Sequence, residues 1–477
     1  MPPQIDRVQE DEFSSGESHY DGFLILDAES PSTPAQVKRD IPALYVPEGF
    51  EPERYLTHER RRLGDKARYL LHAIHTQSIF NQRHRRDGVH LKAEYLRRIM
   101  GRHYLGIISD LEGPVIEVDR IARDGLSNRY RLNAEYRAAR VKRFVPTDSY
   151  LIPKLIERRA ELQESPTCPT RKHLLEQLRR VRLDLDSARR VLDGLSLDGE
   201  RFAASESCLE RLYEQEWFFS ADRFGRVHHN ITCLKRELRA CLRVDGQGLI
   251  ETDISNSQPL FCGLTFFLWE KNQGSFAQLW TEEAFNSALA LKEENLEQLL
   301  LLKQELQKST TTTNQTTLPL RCAGLHETNN DPLKYLMLCE EGRIYEYMAQ
   351  AVGIDISDSA ARGSFKEQVY SELLYAKWRD SKNPLVVAFQ AEFPSLFEMI
   401  RQVNYRDHRR LAQWMQRVEA RLVIDGVVAK FAEERPDAFI LTIHDSVLTK
   451  PDDAKYVGDL FRQEFGRFGV HPTLKQK

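Results

Sequence analysis

The chain reads as an α+β protein of several domains, and three observations predict this. Long stretches place apolar residues at helical spacing, as at Leu63, Ala67, Leu70, Leu71 and Ile74. Two β-branched runs far apart in sequence, LIETDI from Leu249 and FILTI from Phe439, each meet an acidic residue and a turn. Between Gly88 and Tyr136, two helical patterns are followed by a hairpin pattern. A chain of 477 residues has room for roughly two to four domains and a large core.

Composition removes several classes. Net charge is -3, with Lys+Arg 68 against Asp+Glu 71, so any nucleic-acid partner must be read from local clusters. The seven cysteines form no CxxC pair, which suits reduced thiols in a cytoplasmic protein better than a disulfide framework or a zinc site. No apolar run approaches membrane-spanning length, so no membrane partner is expected. The N-terminal MPPQIDRVQEDEFSSGES is acidic and polar, unlike a signal or transit peptide. Residues 1–45 read as a disordered tail, poor in large apolar side chains.

Residues 46–148 hold a basic helical segment, Tyr55 to Arg86, and then a small module. VHLKAEYLRRIMG predicts a helix ending at Gly101, and HYLGIISDLEGP a second ending at Gly113. VIEVDR, the turn RDGLSN and RYRL predict a hairpin with Arg123, Arg129 and Arg131 on or near its tip. Two helices and a basic-tipped hairpin resemble a winged helix, which binds nucleic acid or docks other proteins. The basic tip favours nucleic acid, with Arg129 at the template. In residues 149–222, KHLLEQLRRVRLDLDSARRVLDGL predicts one amphipathic helix of roughly six to seven turns, broken at Gly194. A second helix follows around Cys208 to Trp217, and the pair suits a coiled-coil spacer or a thumb that follows a duplex.

The chemistry-bearing residues come next. GRVHHNITCLKRELRACL gathers Arg226, His228, His229, Lys235, Arg236 and Arg239, groups that suit phosphate contacts. Asp253 and Asp445 each sit beside an apolar strand run. Alone, either acid would suit a turn cap. As a pair they offer the hard oxygen ligands that a two-metal phosphoryl-transfer site needs. Between them lies an insertion, 285–320, with a helical run and the low-complexity STTTTNQTT. DPLKYLMLCEEGRIYEYMAQAVGI predicts helix, Glu-Gly turn, helix. In the next helical run, Arg362, Lys366 and Tyr370 are spaced i, i+4, i+8 and share a face. Two cations and a ring there suit a triphosphate and its base or sugar.

In this order, these elements resemble the palm and fingers of family A (polymerase I-like) DNA polymerases and of the related single-subunit phage-type RNA polymerases. The resemblance runs from about Leu212 onward. It implies a right-hand polymerase with palm, fingers and thumb, beside the winged-helix-like domain. The palm would comprise 223–345 and 411–477, and the fingers 346–410. By resemblance, Asp253, the backbone carbonyl of Ile254 and Asp445 hold two Mg²⁺ ions, with Mn²⁺ as an alternative. Lys366 is catalytic and, with Arg362, Tyr370 and Gln258, binds the nucleotide. Arg226, His229, Arg239, Gln416 and His444 contact primer or template.

Three departures stand out. Gln258 occupies the position where the family has a Glu that blocks the ribose 2′-OH. Ser446 follows His-Asp, as in the RNA polymerases and not the DNA polymerases. The second fingers aromatic falls on Leu374, with Tyr375 one residue on and half a turn from the Lys366 face. The expected activity is template-directed nucleotidyl transfer from nucleoside triphosphates onto a primer on DNA. A family A-like DNA polymerase without proofreading fits best, in replication of a plasmid, phage or other mobile element. An RNA polymerase or primase-like enzyme, with RNA as partner, is the alternative. A non-catalytic DNA-binding replication-initiation protein is the other.

Overall fold

Four antiparallel strands form the sheet that positions the conspicuous acids. They are β11 (Ile250–Ile254), β12 (Ile440–Ile443), β13 (Ser446–Thr449) and β14 (Leu474–Gln476), in the order β12-β13-β11-β14. The computed structural model describes residues 41–80, 87–120, 127–162, 166–271, 303, 331–376 and 382–477. It is a mixed helix-and-sheet protein in two units, Met1–Ser165 with Arg189–Ser220, and Pro166–Ala188 with Ala221–Lys477. Residues 1–40 of the expected tail, the hairpin tip with Arg123, and the insertion 285–320 apart from Lys303 lie outside the described residues. Among the described residues, no helix is long and apolar enough to cross a membrane.

In the first unit, β1 (Leu44–Pro47) pairs antiparallel with β5 (Val141–Phe144), and the helix Gly64–Phe80 packs on β1. Next in sequence come β2 (Val89–His90), the helices Ala93–Met100 and Tyr104–Leu111, β3 (Ile116–Asp119) and β4 (Arg129–Leu132). These strands form a sheet of order β2-β4-β3. The helix periodicity explains the core: Leu96, Ile99, Ile107 and Leu111 are buried together with Leu70, Ile74 and Tyr130.

The single long helix expected after Lys172 is not formed. The helix Pro169–Arg180 stops at Val181, and Arg182–Leu183 become strand β6 before a new helix, Leu185–Asp193. β6 pairs with β9 (Leu242–Val244), and the Asp184 N–H donates to the Cys241 carbonyl. A strand partner supplied by residues some sixty positions away overrides the local helical pattern (Arg182↔Arg243).

The second unit packs helices around the four-stranded sheet. The helix Ser257–Lys271 carries buried Leu260, Phe261, Leu264 and Leu268 and lies against the helices Asp331–Glu340 and Arg410–Leu422. Gly263 permits the first of these approaches, because a Cβ there would stand 3.2 Å from Leu336. The helix Pro451–Gly466 packs beneath β11 and β13 through Val457 and Phe461. The expected Glu-Gly turn is present: the chain leaves Asp331–Glu340 through Gly342 at φ +74 and enters Ile344–Ala351.

Candidate active site

β12 and β13 form a tight hairpin in which Ile443 faces Ser446, so His444 and Asp445 are its two turn residues. His444 takes φ +55, an uncommon conformation for a residue with a Cβ. Across the sheet, Asp253 on β11 is the direct partner of Ser446. Two acids 192 positions apart in sequence, 253 and 445, thus come side by side. Burial raises the Asp445 carboxyl above its ordinary range; a hydrogen bond with Ser257 opposes this and the Asp253 charge reinforces it. The Lys477 ammonium lies 2.8 Å from Asp253 Oδ2. Ile254, buried at the strand end, faces Leu474 of β14.

Paired carboxylates with nearby carbonyls offer oxygen donors only, and among the described residues no group of three or more His, Cys, Asp or Glu side chains forms a metal cluster. Such a donor set fits Mg²⁺, which keeps waters and takes substrate phosphates as ligands.

The helix Ser359–Val369 begins at Asp358, whose carboxylate accepts from the Ala360 and Ala361 N–H groups. Arg362, Lys366 and Tyr370 converge on Tyr345 of the neighbouring helix. Lys366 Nζ stands 5.1 Å from the Tyr345 ring centroid and the Arg362 guanidinium 5.9 Å; the Tyr345 and Tyr370 hydroxyls are 2.8 Å apart. Arg362 also pairs with Glu346. Burial, Arg362 and Lys475 hold the Lys366 ammonium below the usual lysine range, with Asp253 opposing.

Tyr375 does not lie off this face. The segment Tyr370–Leu374 is a π-helical turn, closed by the Tyr375 N–H donating to the Tyr370 carbonyl five residues back. The wider turn absorbs the extra residue that separates Tyr375 from the expected position. Tyr375 Oη then donates to Gln258 Oε1 at 2.8 Å.

Gln258 Nε2 donates to Glu419 Oε2 at 3.3 Å, and Arg226 forms an ion pair with the same carboxylate. Glu419 is 1 % exposed, and burial pushes its carboxyl up to about 7 despite Arg226. The residue of the helix Arg410–Leu422 that meets Arg226 and Gln258 is therefore Glu419. Gln416, expected at primer or template, lies one turn earlier on the same helix. A buried acid is the less obvious choice from sequence, because such groups are mostly solvent-facing.

Two other expected contacts are differently placed. His229 is fully buried: its Nε2–H donates to the Thr442 carbonyl at 2.9 Å, and its Nδ1 accepts from the Ile231 N–H. Burial holds its pKa down at about 3, so it is a neutral strut between β8 (Val227–His229) and β12, not a surface for template. Arg239 grips Glu251 with both carboxylate oxygens, at 2.9 and 3.1 Å, and Ser446 Oγ donates to Glu251 Oε1 at 2.9 Å. His444 lies edge-on to His228, 6.2 Å between centroids, and its buried Nδ1 has no hydrogen-bond partner among the described residues.

In the first unit, Arg129 is held by Asp119, Arg131 by Glu117 at 3.9 Å, and Arg120 by Glu112. Each described hairpin cation is thus matched by an acid, a pairing that the run of arginines does not reveal.

No family model matches the chain, and no curated protein matches it. Among solved structures, the chain is similar to the polymerase domain of Pol1 from M. smegmatis in complex with DNA primer-template and dNTP, at TM-score 0.35 and 10% identity, over 69% of this chain and 72% of that chain.

Proposed function

We propose that the chain is a template-directed nucleotidyltransferase acting as a DNA polymerase of right-hand architecture. The observation that carries this reading is the pair formed by Asp253 on β11 and Asp445 in the turn of the adjoining β12–β13 hairpin, faced by a cationic helix bearing Arg362 and Lys366. Asp253 and Asp445, with the Ile254 carbonyl, would hold Mg²⁺, which when bound supplies charge neutralisation at the reacting phosphate. Lys366 and Arg362 bind and orient the triphosphate, and their fixed charge meets the charge that grows on it during transfer. Tyr370 offers its ring to base or sugar. Gln258, fixed from both sides by Tyr375 and Glu419, bounds the sugar. His444, at the hairpin tip, lies at the primer end. Element order and the β2-β4-β3 sheet support reading the first unit as winged-helix-like. Beside the paired hairpin cations, Arg97 and Arg102 are exposed on its helical half and add positive charge for phosphate contact.

Primer extension with Asp253→Asn and Asp445→Asn tests the reading. Each change removes one ligand charge and no core packing, so incorporation should fall by about 10³-fold or more while duplex binding persists. Extension at wild-type rates by either variant would overturn the assignment.

A further inference from the structure

Strand β14 was not foreseen by any sequence pattern, and it brings two lysines to the acids. Asp253 faces Lys475 directly in the β11–β14 ladder. One step further, the backbone groups of Glu251 and Lys477 exchange two hydrogen bonds of 3.1 Å each. Directly opposed residues on antiparallel strands project to the same side, so Glu251, Asp253, Lys475 and Lys477 share one face of the sheet. Glu251 is engaged by Arg239. Lys477 therefore reaches diagonally to Asp253, at 2.8 Å. Lys475 is exposed and has no carboxylate partner among the described residues. Both ammoniums act on Lys366 as like charges, together with Arg362. Lys366, Lys475 and Lys477 thus gather at Asp253 as mutually repelling charges, an arrangement that a polyanion would relieve.

We infer that Lys475 and Lys477 form a second cationic seat at the site, one that binds the outer phosphates of the incoming triphosphate and the pyrophosphate it releases. Lys477 has two positions in this scheme. It neutralises Asp253 while the site is empty, and turns to phosphate when a divalent cation takes the carboxylate. In transfer, the primer 3′-hydroxyl gives up its proton to water, its oxygen bonds to the α-phosphorus, and the bond from that phosphorus to the bridging oxygen breaks. The electron pair leaves on pyrophosphate, whose charge faces these lysines. This inference rests on the nucleotidyltransferase reading.

The test uses the full chain and two probes. Inorganic tripolyphosphate is titrated in the presence of a chelator, and Mn²⁺ is titrated by electron paramagnetic resonance. Lys475→Gln and Lys477→Gln together should weaken tripolyphosphate binding by about tenfold or more, as expected for losing two charge-assisted contacts. Lys477→Gln alone should strengthen Mn²⁺ binding several-fold, because the competitor for Asp253 is gone. Lys455→Gln, an exposed lysine of the helix Pro451–Gly466, should change neither. Opposite signs for the two probes distinguish a seat that exchanges partners from a merely structural ion pair. If Asp253→Asn abolishes Mn²⁺ binding while the lysine variants match wild type with both probes, the inference falls and the polymerase reading stands. If the wild type binds neither probe, both fall.

Discussion

Tyr375 Oη donates a 2.8 Å hydrogen bond to Gln258 Oε1, joining the end of the cationic helix run to the start of the helix after Asp253. The contact makes Gln258 a fixed wall and not a mobile side chain, because Glu419 holds its amide from the other side. A fixed wall discriminates by volume. Gln258→Ala should therefore raise ribonucleotide use relative to deoxynucleotide use by about tenfold or more, read by single-nucleotide extension of a DNA primer. Tyr375→Phe keeps the volume and loses one hydrogen bond, so the ratio should move only about two- to tenfold. A wild type that already prefers ribonucleotides, or a Gln258→Ala ratio equal to wild type, would remove the gate.

The π-helical turn makes a second claim testable. It holds one more residue than an α-helical path between the same ends. Deleting the exposed Ser371 should let the segment close as ordinary α-helix with Tyr375 still at Gln258. The melting temperature should then change by only a few degrees, and sugar preference should match wild type. Loss of the fold, or a sugar preference like that of Gln258→Ala, would show that the turn does not absorb the extra residue.

Glu419 gives the stability a pH signature. Its folded carboxyl is raised from an ordinary 4.5 to about 7 by burial. Between those values the unfolded chain has released the proton while the folded chain still holds it. Stability from this group is therefore fully present below 4.5 and is lost as pH rises through 7. Glu419→Gln cannot titrate. The melting-temperature difference, wild type minus Glu419→Gln, should fall steadily from pH 4.5 to 7 and then level off. A flat difference across that window would show that Glu419 titrates like an exposed acid.

The two histidines should separate folding from activity. His229→Ala empties a fully buried site and strands the Thr442 carbonyl, a loss of roughly 2–4 kcal/mol by chemical denaturation. His444→Asn keeps a residue that tolerates the left-handed turn, so stability should change by about 1 kcal/mol or less. Primer extension should nevertheless drop, because His444 borders Asp445 at the hairpin tip. Full activity with His444→Asn would leave that ring without a role at the primer.

Several features were legible before any coordinates. The hairpin around His444 and Asp445 is written in two short β-branched runs meeting at a polar pair, and strand periodicity is a local property. The common face of Arg362, Lys366 and Tyr370 follows from helical spacing alone, and the break at Gly342 from the Glu-Gly turn. What tertiary structure decided were the choices made by distant partners. β6 is a strand only because β9 is there to pair with it. His229 is a buried strut because the Thr442 carbonyl of β12 accepts a hydrogen bond from its ring, and Glu419 joins the site because Arg226 and Gln258 close around it. Tyr375 returns to the site through a helical turn whose hydrogen bonding no residue pattern announces. β14 delivers two lysines to Asp253 from more than two hundred residues away in sequence (Lys477 and Asp253). Periodicity reports which face an element buries, whereas the identity of what covers that face is a property of the whole chain.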